Sequence, residues 1–234
     1  MLRVVLCWLS LVTMPTATLA DDILIFGATR NTGLETAKIL VARGDAVTAF
    51  VRETSDTSAL KDLGVALVVG DALQSDTVDS AFAAGPFDSV ISTMGGSVRN
   101  TAVDSQGNIN VFEATERAGV KRLVLVTAIG AGGTDGLLED RARQFLMAVL
   151  DAKTIAEADL KSRDLDWTIL RPGQLPEGPA TGTGVLYDDQ TLMGRITMGE
   201  LGVLVVKALD DDATIGKVFH TIDSEMVGSF SSFD

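Results

Sequence analysis

Residues 22–33, DILIFGATRNTG, predict a buried strand, a tight turn and a helix in direct succession. Four consecutive apolar residues at positions 23–26 are typical of a strand that is buried on both faces. Gly27 follows at once, where a tight turn favours a residue without Cβ, and apolar residues recur at helical spacing after Gly33. The free N–H groups and the positive dipole end of such a helix suit a pyrophosphate. The segment therefore predicts a phosphate-binding turn.

The glycine spacing in this turn departs from the usual dinucleotide fingerprint. That fingerprint reads G-x-G-x-x-G, whereas five residues separate Gly27 from Gly33. The alternative is a plain strand–turn–helix connection with incidental glycines. The preceding strand and the following helix are the context that phosphate binding requires, and they favour the phosphate site. We expect a valine at Gly33 to block the pyrophosphate while the fold survives.

Apolar periodicity predicts that strands and helices alternate along the rest of the chain. The expected strands are residues 46–51, 65–69, 89–92, 123–127 and 167–170, and the expected helices are residues 32–43, 75–83, 104–118, 138–162 and 200–209. This alternation is typical of a doubly wound, Rossmann-type parallel sheet, so residues 21–234 are expected to form a single α/β domain. Segment 171–184, RPGQLPEGPATGTG, contains three prolines and four glycines and predicts a substrate loop near residues 171–190.

The first twenty residues have the pattern of a secretory signal peptide. A basic start at residues 1–3 precedes an apolar stretch at residues 4–12 and a short segment that ends at Ala20. The apolar stretch is too short for a membrane span, which needs about twenty residues. We expect cleavage after Ala20 and export of the mature protein to the periplasm or the medium, without a stable membrane span. The alternative is a cytoplasmic protein whose leader is not used.

Composition excludes several kinds of site and partner. The only cysteine, Cys7, lies in the expected leader, so the mature protein is not expected to contain disulfides, a thiol nucleophile or cysteine-bound zinc. A single histidine, His220, argues against histidine-rich metal sites, and no metal is expected. A net charge of -13 repels nucleic acid. The expected partner is a small-molecule substrate, and the protein is expected to be a monomer or a weak homodimer.

Two arginines predict the choice of nucleotide. Arg52 follows the second expected strand, at the position where an acidic residue selects the free 2′-hydroxyl of NAD. An arginine there favours the 2′-phosphate of NADP through a charge-assisted contact, and Arg30 in the glycine turn can supply a second cation. The sequence therefore favours NADP(H), although Glu53 next to Arg52 is a signal in the other direction. The alternative is that both arginines are solvated surface residues.

Further candidate residues follow the third and fourth expected strands. Asp71 and Ala72 are candidate cofactor-binding residues, and Asp71 is placed to face the adenine amino group or, alternatively, to begin a turn. Thr93, Met94 and Gly95 come directly after the fourth strand, where a glycine lets the backbone approach the middle of the cofactor closely. These positions all lie at the carboxyl edge of the expected sheet, where open α/β folds bind ligands.

Two residues are candidates for the nicotinamide end and for catalysis. Thr127 ends the fifth expected strand, where a hydroxyl would point at the nicotinamide region. Lys153 lies on the long helix that follows. Its ammonium would hold the nicotinamide ribose, or it would belong to an ordinary surface lysine.

Several segments together resemble the atypical branch of the short-chain dehydrogenase/reductase superfamily. They are ILIFGATRNTG, AVTAFVR, VVGDAL, LVLVTAIGAG, DLDWTILRPGQL and the closing GELGVLVVKALDDDATIGKVFHTID. The resemblance is to the NAD(P)H-binding, NmrA-like group, which includes biliverdin-IXβ/flavin reductase, and it covers the whole mature chain. It implies a Rossmann-type fold and a cofactor site formed by Gly27, Thr29, Arg30, Asn31, Thr32, Gly33, Arg52, Asp71, Thr93, Met94, Gly95, Thr127 and Pro172.

The chain departs from this family in its catalytic residues. The superfamily's Tyr-x-x-x-Lys motif would require a tyrosine where Val149 stands, and Ala128 replaces the serine that often follows the fifth strand. Arg30 replaces the middle glycine of the family's glycine turn. Tyr187, the only tyrosine, is a candidate to approach a substrate and, more simply, a wall residue. A tyrosine–lysine proton relay at the family's positions is therefore absent.

Three functions are considered for such a chain. An NADPH-dependent reductase of a small conjugated acceptor (flavin, quinone or bilin type) needs little acid from the protein, because the reduced acceptor takes its proton from water. A non-catalytic NADP(H)-binding redox sensor or assembly factor fits the retained cofactor residues equally well. An epimerase or isomerase with a tightly held cofactor is the third alternative, and nothing in the sequence positively supports it.

Overall fold

The computed structural model describes residues 20–228 of the chain. The strands are β1 (Asp22–Phe26), β2 (Ala46–Val51), β3 (Ala66–Val69), β4 (Ser89–Ser92), β5 (Arg122–Val126), β6 (Asp166–Pro172), β7 (Gly184–Tyr187) and β8 (Lys217–Asp223). The helices are α1 (Asn31–Arg43), α2 (Ser58–Asp62), α3 (Ser75–Phe82), α4 (Asn108–Arg117), α5 (Asp140–Lys161) and α6 (Met198–Asp210). The predicted signal peptide, apart from Ala20, lies outside the described residues.

The eight strands form one sheet in the order β3-β2-β1-β4-β5-β6-β8-β7. All neighbouring strands pair in parallel except β7, which pairs antiparallel with β8 at one edge. The chain moves outward from β1 to β3 and then crosses to β4 on the other side of β1. Open α/β sheets bind ligands at the carboxyl ends of the strands beside such a switch point. The doubly wound, Rossmann-type fold expected from the sequence is confirmed.

Alternate residues of β1 are buried on opposite faces of the sheet. Ile23 and Ile25 belong to one apolar core, which α1, α2 and α6 cover. Leu24 and Phe26 belong to a second core, which α3, α4 and α5 cover. All four side chains are fully buried, which explains why the strand is an unbroken apolar run. Because helices cover both faces, the carboxyl edge of the sheet is the place where polar side chains can meet a ligand.

Two parts of the expected substrate loop belong to the sheet, namely the end of β6 and the whole of β7. β6 continues to Pro172, and its Arg171 pairs in register with His220 of β8. The prediction that the loop begins at Arg171 was therefore wrong, because a strand from far along the chain extends the ladder through the Arg-Pro pair. The segment between β6 and β7 is the β6–β7 loop (residues 173–183), and the segment after β7 is the β7–α6 loop (residues 188–197).

The start of α4 also differs from the prediction. The α-helix begins at Asn108 because residues Val103–Gly107 form a π-helical turn before it. The Asn108 side-chain amide donates to the backbone carbonyls of Val103 at 3.2 Å and Asp104 at 3.1 Å. These bonds satisfy carbonyls that an α-helical ladder would otherwise use. A π-helical turn inside a helix is rare and is frequently found at functional sites.

Neither a membrane span nor a metal cluster is found between residues 20 and 228. No helix in this part of the chain has the length and apolarity needed to cross a membrane. It also contains no group of three or more His, Cys, Asp or Glu residues placed to hold a metal ion.

Candidate active site

The turn between β1 and α1 is shaped by two glycines that pack closely against Thr93, the residue after β4. Gly27 has a φ of 91°, and a Cβ there would lie 2.8 Å from the Thr93 hydroxyl. A Cβ on Gly33 would lie only 2.3 Å from the Gly27 carbonyl oxygen and 2.5 Å from the same hydroxyl. A side chain at Gly33 would therefore collide with the turn itself. The expectation that a valine there would spare the fold was wrong, because this glycine is needed for helix–strand contact.

The N-terminus of α1 fits an anionic group. Its first turn contains no acidic residue, and no side chain caps it. The Thr32 hydroxyl is buried and has no hydrogen-bond partner among the described residues. Asn31 has a φ of 52°, a left-handed conformation that is uncommon outside glycine. Free backbone donors, an unpaired hydroxyl and the helix dipole together make a cradle for a phosphate, which is what the pyrophosphate of a dinucleotide requires.

The two arginines predicted for the adenosine end follow neighbouring strands. Arg30 follows the turn after β1, Arg52 follows β2 directly, and both side chains are exposed. Within residues 20–228, neither guanidinium forms an ion pair. Two exposed cations at one corner of the sheet suit a 2′-phosphate, and the contact itself stays a prediction.

Asp71 forms a turn at the end of β3. Its Oδ1 accepts a hydrogen bond from the Leu73 N–H at 3.0 Å, and its own N–H donates to the Thr77 hydroxyl at 3.0 Å. Ala72 is buried, and its carbonyl accepts from the Asn110 side chain at 2.7 Å. The turn alternative left open by the sequence is therefore present. Because Asp71 remains exposed, a contact with adenine also stays a prediction.

At the middle of the site, Lys153 is a buried side chain rather than a surface lysine. The residue as a whole is 9% exposed, and its Nζ lies 2.8 Å from Oδ1 of Asp104 in the π-helical turn. A Cβ on exposed Gly95 would lie 3.6 Å from the same Nζ, so the predicted Gly95 and Lys153 meet in space. Half-buried Met94 lies between Gly95 and Thr93 in sequence. Sequence reasoning missed Asp104, since an aspartate at a helix start is ordinarily a capping residue.

The Thr127 hydroxyl belongs to a buried polar network. It donates to Oε1 of Glu157 on α5 at 2.7 Å. The Arg171 guanidinium binds both carboxylate oxygens of Glu157, with 2.9 Å from Nε to Oε1. Arg171 and Glu157 are each 1% exposed. The hydroxyl proton of Thr127 is therefore engaged inside the protein, and the sequence prediction that it serves the nicotinamide region remains untested.

This network, the Glu157–Arg171 network, extends to the loops after β5 and β7. Nη1 of Arg171 donates to the Gln190 side-chain oxygen at 2.7 Å, which fastens the β7–α6 loop. A Cβ on Gly132 would overlap the guanidinium of Arg171, so only glycine fits there. Predicted Pro172 is buried beside the network, and its carbonyl accepts from the Ile129 N–H at 2.9 Å. In the sequence, Arg171 lay in an expected loop, and no sequence pattern indicated that Glu157 would be its partner.

The β6–β7 loop is held down by two buried carboxylates. Glu200 on α6 accepts three backbone N–H bonds, each 2.8 Å long, from Thr181, Gly182 and Gly184. Asp223 of β8 accepts from the Thr181 hydroxyl at 2.6 Å and from other donors nearby. Burial raises the pKa of Asp223, but these hydrogen bonds outweigh it and hold the pKa below its usual value. The loop is therefore an ordered wall of the site.

His220 and Tyr187 lie behind this wall, near the edge of the sheet. Tyr187 of β7 pairs in register with His220 of β8, and β8 and β6 separate it from β5. Nδ1 of His220 donates to the Leu192 carbonyl at 3.0 Å, and the ring is fully buried. Burial lowers the pKa of His220, the hydrogen bond to Leu192 partly opposes this, and the charge of Arg171 lowers it further. The neutral ring is therefore favoured.

A groove of about 400 Å³ opens beside the phosphate cradle. It lies between the N-terminus of α1 and the β6–β7 loop, and it is lined by Asn31, Glu35, Glu177, Gly178, Pro179 and Met198. This volume is within the range of small-molecule sites. The groove is continuous with the predicted substrate loop through Glu177, Gly178 and Pro179.

The geometry matches a known class of nucleotide-binding protein. Residues 27–212 match the family model described as NAD(P)H-binding. The chain belongs to this NAD(P)H-binding family. The match begins at Gly27 and includes the phosphate cradle and Lys153, which agrees with the resemblance inferred from the sequence.

Individual relatives cover most of the chain. An uncharacterized chloroplastic protein of Arabidopsis thaliana is 30% identical over 86% of this chain and 76% of its own length. A 3-diazoavenalumate denitrifying reductase of Streptomyces is 28% identical over 88% of this chain and 73% of its own. Among solved structures, the anaerobilin reductase ChuY of Escherichia coli is 31% identical with a TM-score of 0.80, covering 89% of this chain and 100% of that chain. The NAD(P)H-binding fold of this protein therefore has reductases among its relatives.

Proposed function

We propose that the protein is an NADPH-dependent reductase whose acceptor is a small conjugated molecule of the flavin, quinone or bilin type. One observation carries the proposal: the chain has a phosphate cradle, but α5 has Val149 at the position of the family's proton-donating tyrosine. When bound, NADPH supplies a hydride. Acceptors whose reduced forms take protons from water do not need the missing tyrosine.

Different residues would bind the pyrophosphate, the 2′-phosphate and the nicotinamide ribose of the nucleotide. The N-terminus of α1 and the Thr32 hydroxyl would hold the pyrophosphate. Arg30 and Arg52 would hold the 2′-phosphate, which is the reason for choosing NADPH over NADH. The Lys153 ammonium would hold the nicotinamide ribose beside Gly95. The protein's main contribution is then the orientation of two planar groups.

The surroundings of Thr127 support acceptors that need no acid from the protein. Its hydroxyl donates to Glu157, and the Glu157 carboxylate is already bound by Arg171. Neither group is left to deliver a proton to a ketone. The names of two relatives, an anaerobilin reductase and a denitrifying reductase, support a reductase of conjugated substrates.

The test is the oxidation of NADPH, followed by absorbance, with a flavin, a quinone, a bilin and a simple ketone as separate acceptors. We expect turnover with at least one conjugated acceptor and little with the ketone. Thr127→Ala and Lys153→Ala should slow turnover by less than the roughly 10²–10⁴-fold loss that follows removal of a general acid. Lys207→Ala, which removes an exposed lysine in the last turn of α6, is the matched control and should leave the rate unchanged.

Two results would contradict this proposal. Tight NADPH binding without turnover on any conjugated acceptor would indicate the redox sensor or assembly factor instead. Rapid ketone reduction that collapses in the Thr127 or Lys153 variant would show a proton relay built from these residues.

A further inference from the structure

Asp104 is a fully buried carboxylate with one oxygen in an ion pair and the other in a hydrogen bond. Oδ1 lies 2.8 Å from Nζ of Lys153, which belongs to α5. Oδ2 accepts a hydrogen bond from the Gly96 N–H at 2.8 Å, in the segment that follows β4. A single side chain therefore joins the lysine to the glycine segment predicted to approach the cofactor.

The position of Asp104 depends on the π-helical turn Val103–Gly107. Asn108 stabilises that turn through the carbonyls of Val103 and Asp104, and the Ser92 hydroxyl at the end of β4 donates to the Asn108 side-chain oxygen at 2.6 Å. The turn is thereby tied to β4, the strand beside the switch point. The π-helical turn, held by these side-chain hydrogen bonds, places the Asp104 carboxylate between Lys153 and Gly96.

The Asp104–Lys153 pair borders the open space above Gly95. A Cβ on Gly95 would make ordinary van der Waals contact with both members, at 3.5 Å from Oδ1 of Asp104 and 3.6 Å from Nζ of Lys153. The lysine side chain retains 11% exposure. An ammonium has three N–H donors, so the bond to Asp104 leaves donors for a ligand above Gly95.

Stability alone is a weak reason for such a pair. Replacing a buried ion pair by apolar residues of similar volume is often neutral or stabilising, because both charges lose their hydration. A pair that borders an open crevice, on an irregular turn, is better explained by the ligand that the crevice accepts.

We propose that Asp104 is a positioning residue for the nucleotide. It holds the Lys153 ammonium and the Gly95–Gly96 segment in one arrangement, so that the lysine meets the ribose hydroxyls at the nicotinamide end. Asp104 acts through Lys153 and does not touch the reacting atoms. The inference rests on the NADPH site of the proposed function, and it names the group on which the geometry of that site depends.

The test compares NADPH dissociation constants, measured by the fluorescence of the bound nucleotide, without any acceptor. Asp104→Asn keeps an acceptor for the Gly96 N–H and removes the charge that holds Lys153. We expect its NADPH affinity to fall about tenfold. Thr115→Val is the matched control, since Thr115 is a buried polar residue of α4 whose hydroxyl donates only within the helix, to the Val111 carbonyl. Its affinity should equal that of the native protein.

A double variant separates positioning from a structural role. If Asp104 acts through Lys153, Asp104→Asn adds no further loss of NADPH affinity to Lys153→Met, which alone should also weaken binding about tenfold. The double variant leaves no unpaired buried charge, so it keeps the test available where Asp104→Asn alone does not fold. Native affinity in folded Asp104→Asn, native affinity in Lys153→Met, or additive losses in the double variant would each overturn the proposal.

The outcomes also distinguish this inference from the proposed function. Failure of the native protein to bind NADPH would remove the nucleotide site and both proposals with it. Native binding with normal affinity in Asp104→Asn overturns the positioning role alone. Native binding without turnover, accompanied by a weakened Asp104→Asn, retains the positioning role and overturns the reductase.

Discussion

The phosphate cradle and the Glu157–Arg171 network, here called the phosphate end and the network end of the site, are built by different means. At the phosphate end, one contiguous segment from Gly27 to Gly33 forms the cradle with its backbone, and glycines allow the close approach. At the network end, Glu157 of α5 and Arg171 of β6 pair through their side chains and fasten Gln190 of a third segment. Substitutions should therefore act sterically at the first end and through unpaired charge at the second.

Removing Arg171 tests the network end and should have the largest effect. Arg171→Met leaves the buried Glu157 carboxylate without its main cation, so we expect the free energy of unfolding to fall by about 3–5 kcal/mol. Lys161, whose Nζ lies 3.6 Å from Oε2 of Glu157, favours the lower part of this range. Denaturant unfolding measures the loss. The double variant Arg171→Met, Glu157→Leu should recover most of it; equal instability of both variants would point to packing instead of charge.

Adding one methyl group at Gly33 tests the phosphate end. Gly33→Ala places a Cβ 2.3 Å from the Gly27 carbonyl oxygen, where neither backbone can yield easily. We expect the free energy of unfolding to fall by about 3 kcal/mol. Gly85→Ala is the matched control, because a Cβ at Gly85 meets no atom within 4 Å, and its stability should scarcely change. Equal stability of the two alanine variants would show that the turn is more yielding than its distances indicate.

Removing Arg52 tests a side-chain contact at the phosphate end and leaves the backbone of the turn unchanged. Arg52→Ala takes away a charge-assisted contact worth about 1.5–3 kcal/mol, so NADPH should bind roughly ten- to a hundredfold more weakly. Because NADH carries no 2′-phosphate, its affinity should stay the same and serves as the internal control. Titration of both nucleotides against both proteins makes the measurement. Equal affinity of the native protein for NADPH and NADH would contradict the assignment of this corner.

Acidification should lower the stability of the protein slightly through His220, which lies beside Arg171 of the network end. The folded-state pKa of His220 lies below its ordinary value of about 6.5, mainly because the ring is buried. As the pH falls below about 6.5, the unfolded chain binds a proton that the folded ring resists, so stability present at pH 7 is lost towards the folded pKa. The Tm should therefore fall more in the native protein than in His220→Asn between pH 7 and pH 5. Thermal melts of both proteins at the two pH values measure this difference. An equal fall in the Tm of both proteins would exclude His220 as the cause.

The expectations from sequence succeeded where the signal was local. The apolar run at 23–26 corresponds to β1, and Gly27 and Gly33 take the close contacts expected of a phosphate turn. Lys153 lies beside Gly95, and its burial excludes the ordinary surface lysine that was the alternative; its contact with the cofactor stays a prediction.

The expectations failed where a residue's role depends on a distant partner. Arg171 was assigned to a loop because Pro172 and Gly173 follow it, yet β8 extends the sheet through it. Asp104 has the appearance of a helix cap in the sequence, and only the packing of α5 against the π-helical turn brings Lys153 to it. Neither pairing leaves a local pattern.

Local sequence patterns were sufficient to predict the alternation of strands and helices, the Rossmann-type sheet and the position of the candidate phosphate cradle. These follow from periodicity and from glycine's freedom at Gly27, both of which act over a few neighbouring residues. The tertiary structure alone decided which charges neutralise one another: Asp104 with Lys153, and Glu157 with Arg171. A buried charge is stable only beside its partner, and the sheet order that brings such partners together is set by packing across the whole domain.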